Sequence, residues 1–459
     1  MNRKIESILE QYREEMVLKL QELIRIESTV ESDSGKCSRE APFGTGPLRA
    51  LQYMMALGEE KGFQCTNYDN MICELKFAEE KEDAVGAALH LDVVPAGGKW
   101  THPPYGGELH NGRIYGRGAV DDKGPAIAVF YAALAIRESG LPLRRTITQI
   151  IGTNEESGRF PCLRHYLQIA EKIPSCGIVP DSYFPICFSE KHFVNIRLFL
   201  QSAEDCGNAG TAHGAERVLK RIRGGDAVNV VPSWAEAVLA EGEGRKEEQE
   251  TILRETGITA HASTPEQGEN AVAKLLNRLA EQEFAPHDIC RALKQLAPVI
   301  AQDTNGAGLG IDFRDETGET TSNVGLISYE NGLLEIEANL RLPLSLDQKE
   351  LLERVSKAIS DSGVKVEVTN FLKGFYADPQ QEPAKTLLAV YREETGDLVS
   401  EPYANGSGSY ARIMNDFIPF GIALQQEPLQ FHVEDESISV ERLFLAARIY
   451  AEALYRLAV

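Results

Sequence analysis

Residues 84–94 read AVGAALHLDVV, an apolar run that ends on His90 and Asp92 before a stretch rich in glycine and proline. A run of this length without polar alternation is the mark of a strand buried on both faces. The same texture recurs downstream. A helical segment PAIAVFYAALAIRESG (125–140) leads to TITQIIGTNE (146–155), a second helical stretch near 161–172 leads to CGIVPDSYF (176–184), and the chain closes with FIPFGIALQQ (417–426) and the helix SVERLFLAARIYAEALYRLAV (439–459). Strands alternating with helices predict a largely parallel sheet covered on both faces. Upstream, residues 3–28 read as one amphipathic helix with Ile5, Ile8, Leu9, Tyr12, Met16, Leu20, Leu23 and Ile24 at helical spacing, and residues 46–62 read as a second helix stopped by Gly62.

From about residue 190 the pattern changes. HFVNIRLFL (192–200), AVNVVPSWAEAVLA (227–240) and NVGLISYENGLLEIEANLRL (323–342) alternate in polarity, as strands with one wet face do. Near 377, ADPQQEPAKTLLAVYREETG returns to a helix start with proline near its first turn. The predicted organisation is an α/β domain over 1–189 and 377–459, interrupted at 190–376 by an inserted α+β domain with an antiparallel sheet.

Composition sets the class. At 459 residues the chain is long for one core. A formal charge of −22 argues against nucleic acid or an anionic membrane surface as partner, since both would be repelled. The charged N-terminal stretch has no apolar core of a signal peptide, and no run approaches a membrane span, so a cytoplasmic location is expected. Eight cysteines, 37, 65, 73, 162, 176, 187, 206 and 290, show no CxxC spacing and read as reduced, packed thiols.

In open parallel sheets the site lies beyond the carboxyl ends of the strands. His90 and Asp92 follow the first run, Glu155 and Glu156 follow TITQIIGTN, Asp181 follows CGIVP, and His432 stands a few residues beyond FGIALQQ. Between the first two, YGRGAVDDKGP (115–125) puts Asp121 and Asp122 just before a helix. Any one of these is weak evidence, because a lone Asp or His after a strand is commonly a cap or a solvated group. Their joint occurrence predicts a metal site. Asp121, Glu155, Glu156 and Asp181 together carry −4, which two divalent cations would balance, and His90 and His432 offer each cation a nitrogen. Mixed histidine and carboxylate ligation suits zinc, with manganese and cobalt as alternatives.

The motifs HLDVVPAGGKW (90–100), YGRGAVDDKGP, GTNEESG (152–158), IVPDSYFP (178–185) and FHVEDESISVERL (431–443) resemble those of the dinuclear metallopeptidases that include aminoacylase, carboxypeptidase G and carnosinase, and in particular the PepV-like bacterial dipeptidases. The likeness runs nearly end to end, through AVNVVP (227–232) and GITAHASTPEQGENAV (257–272) to GSGSYAR (406–412). It implies that His90 and Asp181 bind one metal, Glu156 and His432 the other, and that Asp121 bridges them. It further implies Glu155 as the general base acting on a metal-bridged water, Asp92 as the partner that orients His90, and His261 as an oxyanion-stabilising histidine. Asn229 and Arg341 match groups that bind a substrate carboxylate, and Gly408 and Ser409 lie in a loop set against the substrate. Taken alone, His261 reads as a turn or surface histidine and Arg341 as a surface ion pair or a carboxylate fork.

The activity so implied is hydrolysis of dipeptides with free ends by a monomer, with cleavage of N-acyl amino acids as the alternative. A third class, a binding protein that kept the fold without catalysis, sits poorly with a full ligand set. The family usually has Asp where this chain has Asn154, and GGGTYAR where this chain has GSGSYAR. Asn154→Asp is therefore expected to shift the acidic limb of the pH–rate profile. An unchanged profile would reject a role for that position.

Overall fold

The computed structural model describes residues 1–31, 37–77, 80–203, 217–241, 250–427 and 431–459. They form two compact units: Met1–Ser189 with Tyr376–Tyr403 and Gly408–Val459, and Glu190–Phe375 with Ala404–Ser407.

The first unit is built on a six-stranded sheet in the order 64–68, 72–76, 146–152, 84–90, 176–179, 417–419. Strand Ala84–His90 runs parallel to both Thr146–Gly152 and Cys176–Val179, and Phe417–Pro419 extends the parallel set. The hairpin of Gln64–Tyr68 and Ile72–Lys76 adds an antiparallel edge. Every residue of Ala84–His90 and of Thr146–Gly152 is buried. Side chains alternate across a strand, so complete burial means that both faces are covered. Helix Lys123–Ser139 is itself almost wholly buried and packs against helix Val440–Ala458 and the sheet.

Register decides where the strands deliver their residues. His90 pairs with Gly152, and Ala87 with Ile178, so the segments after His90, Gly152 and Val179 leave the sheet at one edge. Near the N-terminus the continuous helix expected over 3–28 is two helices, Arg3–Gln11 and Arg13–Ile24, divided at Tyr12. Tyr12 Oη reaches Glu138 at 2.8 Å, and its ring meets Tyr131. Beyond Ile24 the chain turns to the sheet, with Ser28 Oγ donating to the Leu91 carbonyl at 2.6 Å and Val93 N–H donating to the Ser28 carbonyl at 3.2 Å.

The second unit holds a seven-stranded, wholly antiparallel sheet in the order 250–256, 234–241, 217–224, 321–330, 333–342, 192–201, 365–372. Strand His192–Gln201 alternates buried and half-buried residues, the pattern of a sheet with one core face. That core is shared with helices Ala271–Ala280, His287–Ile300 and Gln348–Ala358. Seven cysteines are free thiols, and Cys206 lies outside the described residues. Among the described residues, no helix is long and apolar enough to cross a membrane.

Gly177 faces Gly86 across the parallel pair, and a Cβ at 177 would overlap the Gly86 carbonyl oxygen. Gly177→Ala is expected to destabilise the first unit by about 1–3 kcal/mol, since neither backbone can give way inside a packed sheet. A lowered midpoint in urea unfolding checks this, and an unmoved midpoint contradicts it.

Candidate metal centre

His90 closes its strand with its side chain almost fully buried. Its Nδ1 lies 2.9 Å from the backbone carbonyl of Asp92. A carbonyl can only accept, so Nδ1 carries the proton and Nε2 turns its lone pair away from the sheet. Around Nε2 stand Asp121 Oδ1 at 3.0 Å and Asp181 Oδ2 at 3.8 Å. On the other side of Asp121, Oδ2 lies 3.0 Å from Nε2 of His432, which is also 3.2 Å from both oxygens of Glu156. Asp121 therefore presents one oxygen to each imidazole. Ligand atoms of His90, Asp121 and Glu156 lie within 4.8 Å of one another, as do those of His90, Glu155 and Asp181.

Asp92 makes two kinds of contact from a fully buried position. Its backbone carbonyl accepts the hydrogen bond from His90 Nδ1, while its carboxylate, 3.4 Å from Nδ1, accepts the N–H groups of Glu155 at 2.9 and 3.0 Å and of Glu156 at 3.0 Å. The turn that leaves strand Thr146–Gly152 is thus pinned to the turn that leaves Ala84–His90. Asp122, placed beside Asp121 by the pattern of the chain but without a role, braces the same strand end. Its Oδ2 accepts the His90 N–H at 3.2 Å. Asn154 is buried, and its Oδ1 has no hydrogen-bond partner among the described residues.

The electrostatics of this cluster call for a cation. Burial, aided by the neighbouring acids, pushes the carboxyls of Glu155 and Asp122 well above the usual range, and burial together with Asp121 raises Glu156. Burial would also raise Asp121, but His432 and His90 outweigh it and hold its carboxyl below the usual range. Conversely, burial disfavours charge on His90 and His432, yet the carboxylates beside them push both imidazoles upward. Among the described residues, His90 Nε2, Asp121 Oδ1 and Glu155 Oε1 are buried without a hydrogen-bond partner. Lone pairs converging on one small volume repel unless a positive charge lies among them, and nitrogen with carboxylate oxygen is a donor set that suits a divalent transition metal. The residues fit such ions.

Asn229, His261 and Arg341 belong to the second unit. The loop around Asn229 pairs with that around His261: Ala262 N–H donates to the Asn229 carbonyl at 3.0 Å, and Val231 N–H to the Ala260 carbonyl at 2.9 Å. The Ser263 N–H donates to His261 Nδ1 at 3.2 Å, and Ser263 Oγ lies 2.6 Å from the same nitrogen. Nδ1 is therefore an acceptor, and Nε2 is the nitrogen that bears the proton. Thr321 Oγ1 donates to the Ala262 carbonyl at 3.2 Å and pairs in register with Arg341. Arg341 is buried, donates from Nε to Asn339 Oδ1 at 2.9 Å and from Nη1 to the Gly406 carbonyl at 2.7 Å, and lies 4.1 Å over the Phe193 ring. Gly408 and Ser409 fall in the first unit, where Ser409 Oγ caps the short turn Tyr410–Arg412 through the Ala411 N–H.

Residues 86–456 match the model of the peptidase family M20/M25/M40. A protein of Bacillus subtilis strain 168 named "Putative dipeptidase YtjP" is 32% identical over 485 aligned positions that cover all of both chains. The fold is shared with human carnosine dipeptidase 1, at a TM-score of 0.59 and 15% identity over 99% of this chain and 98% of that one. It is also shared with the dipeptidase Dug1p of Saccharomyces cerevisiae, at a TM-score of 0.60 and 12% identity over the same shares. On the family match and the full-length likeness to the Bacillus protein, this chain belongs to the peptidase family M20/M25/M40.

Proposed function

We propose that the chain hydrolyses dipeptides with free amino and carboxyl ends, using Glu155 as general acid and base at a dinuclear metal centre. The observation that carries this reading is Asp121 set between two imidazoles, each facing one carboxylate oxygen at 3.0 Å. His90 and Asp181 would hold one divalent ion, Glu156 and His432 the other, and Asp121 both, with zinc ahead of manganese and cobalt on the donor set. When bound, such ions polarise a carbonyl and acidify water.

The side chains divide the remaining work. Glu155 stands within ligand distance of His90 and Asp181, with an oxygen that makes no hydrogen bond among the described residues. Burial raises its proton affinity, which suits a group that accepts a proton from water and returns it to the leaving amine. The Asp92 carboxylate fixes the backbone beneath it. His261, with its proton on Nε2, is in the form that donates to a tetrahedral oxyanion. Arg341 offers a planar fork, and Asn229 an amide, to the substrate carboxylate, while Gly408 and Ser409 supply backbone along the substrate. The dipeptidase name of the Bacillus relative supports this length of substrate. Free thiols at seven cysteines suit a reducing, cytoplasmic setting. The inserted domain over 190–376 is long for a simple dimerisation unit, which suits a monomer.

Glu155→Gln is expected to lower kcat by about 10²–10⁴-fold while two metal ions per chain are retained, because the amide cannot take a proton. Steady-state kinetics with metal analysis checks it, and a loss below tenfold would remove Glu155 from the proton path. A free dipeptide should have the higher kcat/KM when compared with its N-acetylated analogue. The reverse preference would turn the reading to a deacylase.

A further inference from the structure

The segment that delivers His432 continues into three consecutive carboxylates, Glu434, Asp435 and Glu436, and the roles assigned above use none of them. Each accepts backbone N–H groups from elsewhere in the first unit. Glu434 Oε1 accepts Lys99 N–H at 3.0 Å. Asp435 Oδ1 accepts Thr101 N–H at 2.8 Å and His102 N–H at 3.1 Å. Glu436 Oε1 accepts Val120 N–H at 2.9 Å and Asp121 N–H at 3.2 Å. The other oxygen of Glu436 pairs with Arg117 Nη1 at 2.7 Å, and both side chains are buried. The same guanidinium donates to the carbonyls of Val433 at 3.2 Å and Ala96 at 3.3 Å and lies 5.2 Å over the Trp100 ring.

Two backbone facts show that these contacts impose a conformation. His432 and Asp435 have φ of 59° and 52°, a region that residues with a β-carbon adopt when their surroundings hold them there. Gly98, at φ 55°, lies so near the Glu434 carboxylate that a Cβ would overlap it.

We infer that Glu434, Asp435, Glu436 and Arg117 form a clip that sets His432 against Asp121, and that Glu436 is a positioning residue of the metal centre. The inference rests on the reading of His432 and Asp121 as metal ligands. One ligand arrives from the loop before helix Lys123–Ser139 and the other from the segment before helix Val440–Ala458. Strands Arg113–Tyr115 and Ser437–Ser439 pair antiparallel and bring the two segments together, but the register ends short of both ligands. The Glu436–Arg117 pair carries the spacing on from there. The carboxylate holds the backbone N–H groups of Val120 and Asp121 through two charge-assisted bonds, and the guanidinium holds the Val433 carbonyl next to His432. A neutral side chain at 436 would leave Arg117 charged and buried without its counterion, and the spacing would relax.

The test is a zinc titration of the metal-free protein in competition with a chromophoric chelator, paired with thermal unfolding of the metal-free protein. Glu436→Gln is expected to weaken zinc binding about 10–100-fold. Asp435→Asn, on the partly exposed rim of the clip, is expected to weaken it by a smaller factor with no change in the unfolding temperature. His432→Ala, titrated alongside, reports on the ligand assignment itself. Wild-type affinity in both clip variants, with weakened binding in His432→Ala, would overturn the clip and leave the ligand assignment standing. Wild-type affinity in His432→Ala as well would overturn both. Should Glu436→Gln fail to fold, Asp435→Asn decides the matter, and an unchanged affinity there overturns the clip.

Discussion

Asp121 is buried between two imidazoles, with Oδ1 3.0 Å from His90 and Oδ2 3.0 Å from His432, and the rest of the first unit can be understood as what keeps it there. A carboxylate taken out of water costs several kcal/mol unless its charge is answered. Here Asp92, Asp122, Glu155 and Glu436 are buried nearby as well, so the cost is multiplied and not shared. Some of it is offset locally, by backbone N–H groups at Asp92 and by Arg117 at Glu436. What remains, at His90 Nε2, Asp121 Oδ1 and Glu155 Oε1, meets no hydrogen-bond partner among the described residues.

That division separates two kinds of acid. Asp92, Asp122 and Glu436 each commit at least one oxygen to backbone N–H groups at the ends of core elements, and so fix geometry. Asp121, Glu155, Glu156 and Asp181 turn toward histidine or toward each other, and so hold charge at the strand ends. Membership of the peptidase family M20/M25/M40 agrees with such a centre, and the activity proposed above is the chemistry the second group is arranged to perform.

Much of this was legible in the chain for one reason: buried parallel strands are written as unbroken apolar runs, so AVGAALH and TITQIIG announce both the sheet and the place where it ends. Alternation in HFVNIRLFL likewise marked an antiparallel sheet with one wet face. Local pattern failed where the third dimension intervenes. The hydrophobic period runs straight through Tyr12, and only its contacts with Glu138 and Tyr131 mark the break between two helices. Glu434, Asp435 and Glu436 look like solvated acid, because their partners are amides more than 300 residues away. Asp92 was legible as a neighbour of His90, but not as the anchor of the Glu155 turn, for the same reason. Arg341, which left open a surface ion pair, is buried against Phe193.

The central claim is that the charge gathered around Asp121 is balanced by a pair of cations and not by protons. Equilibrating the metal-free chain with excess zinc, removing unbound ion by gel filtration and counting metal per chain by mass spectrometry tests it directly. Two ions per chain is the predicted result. One ion or none would contradict the account.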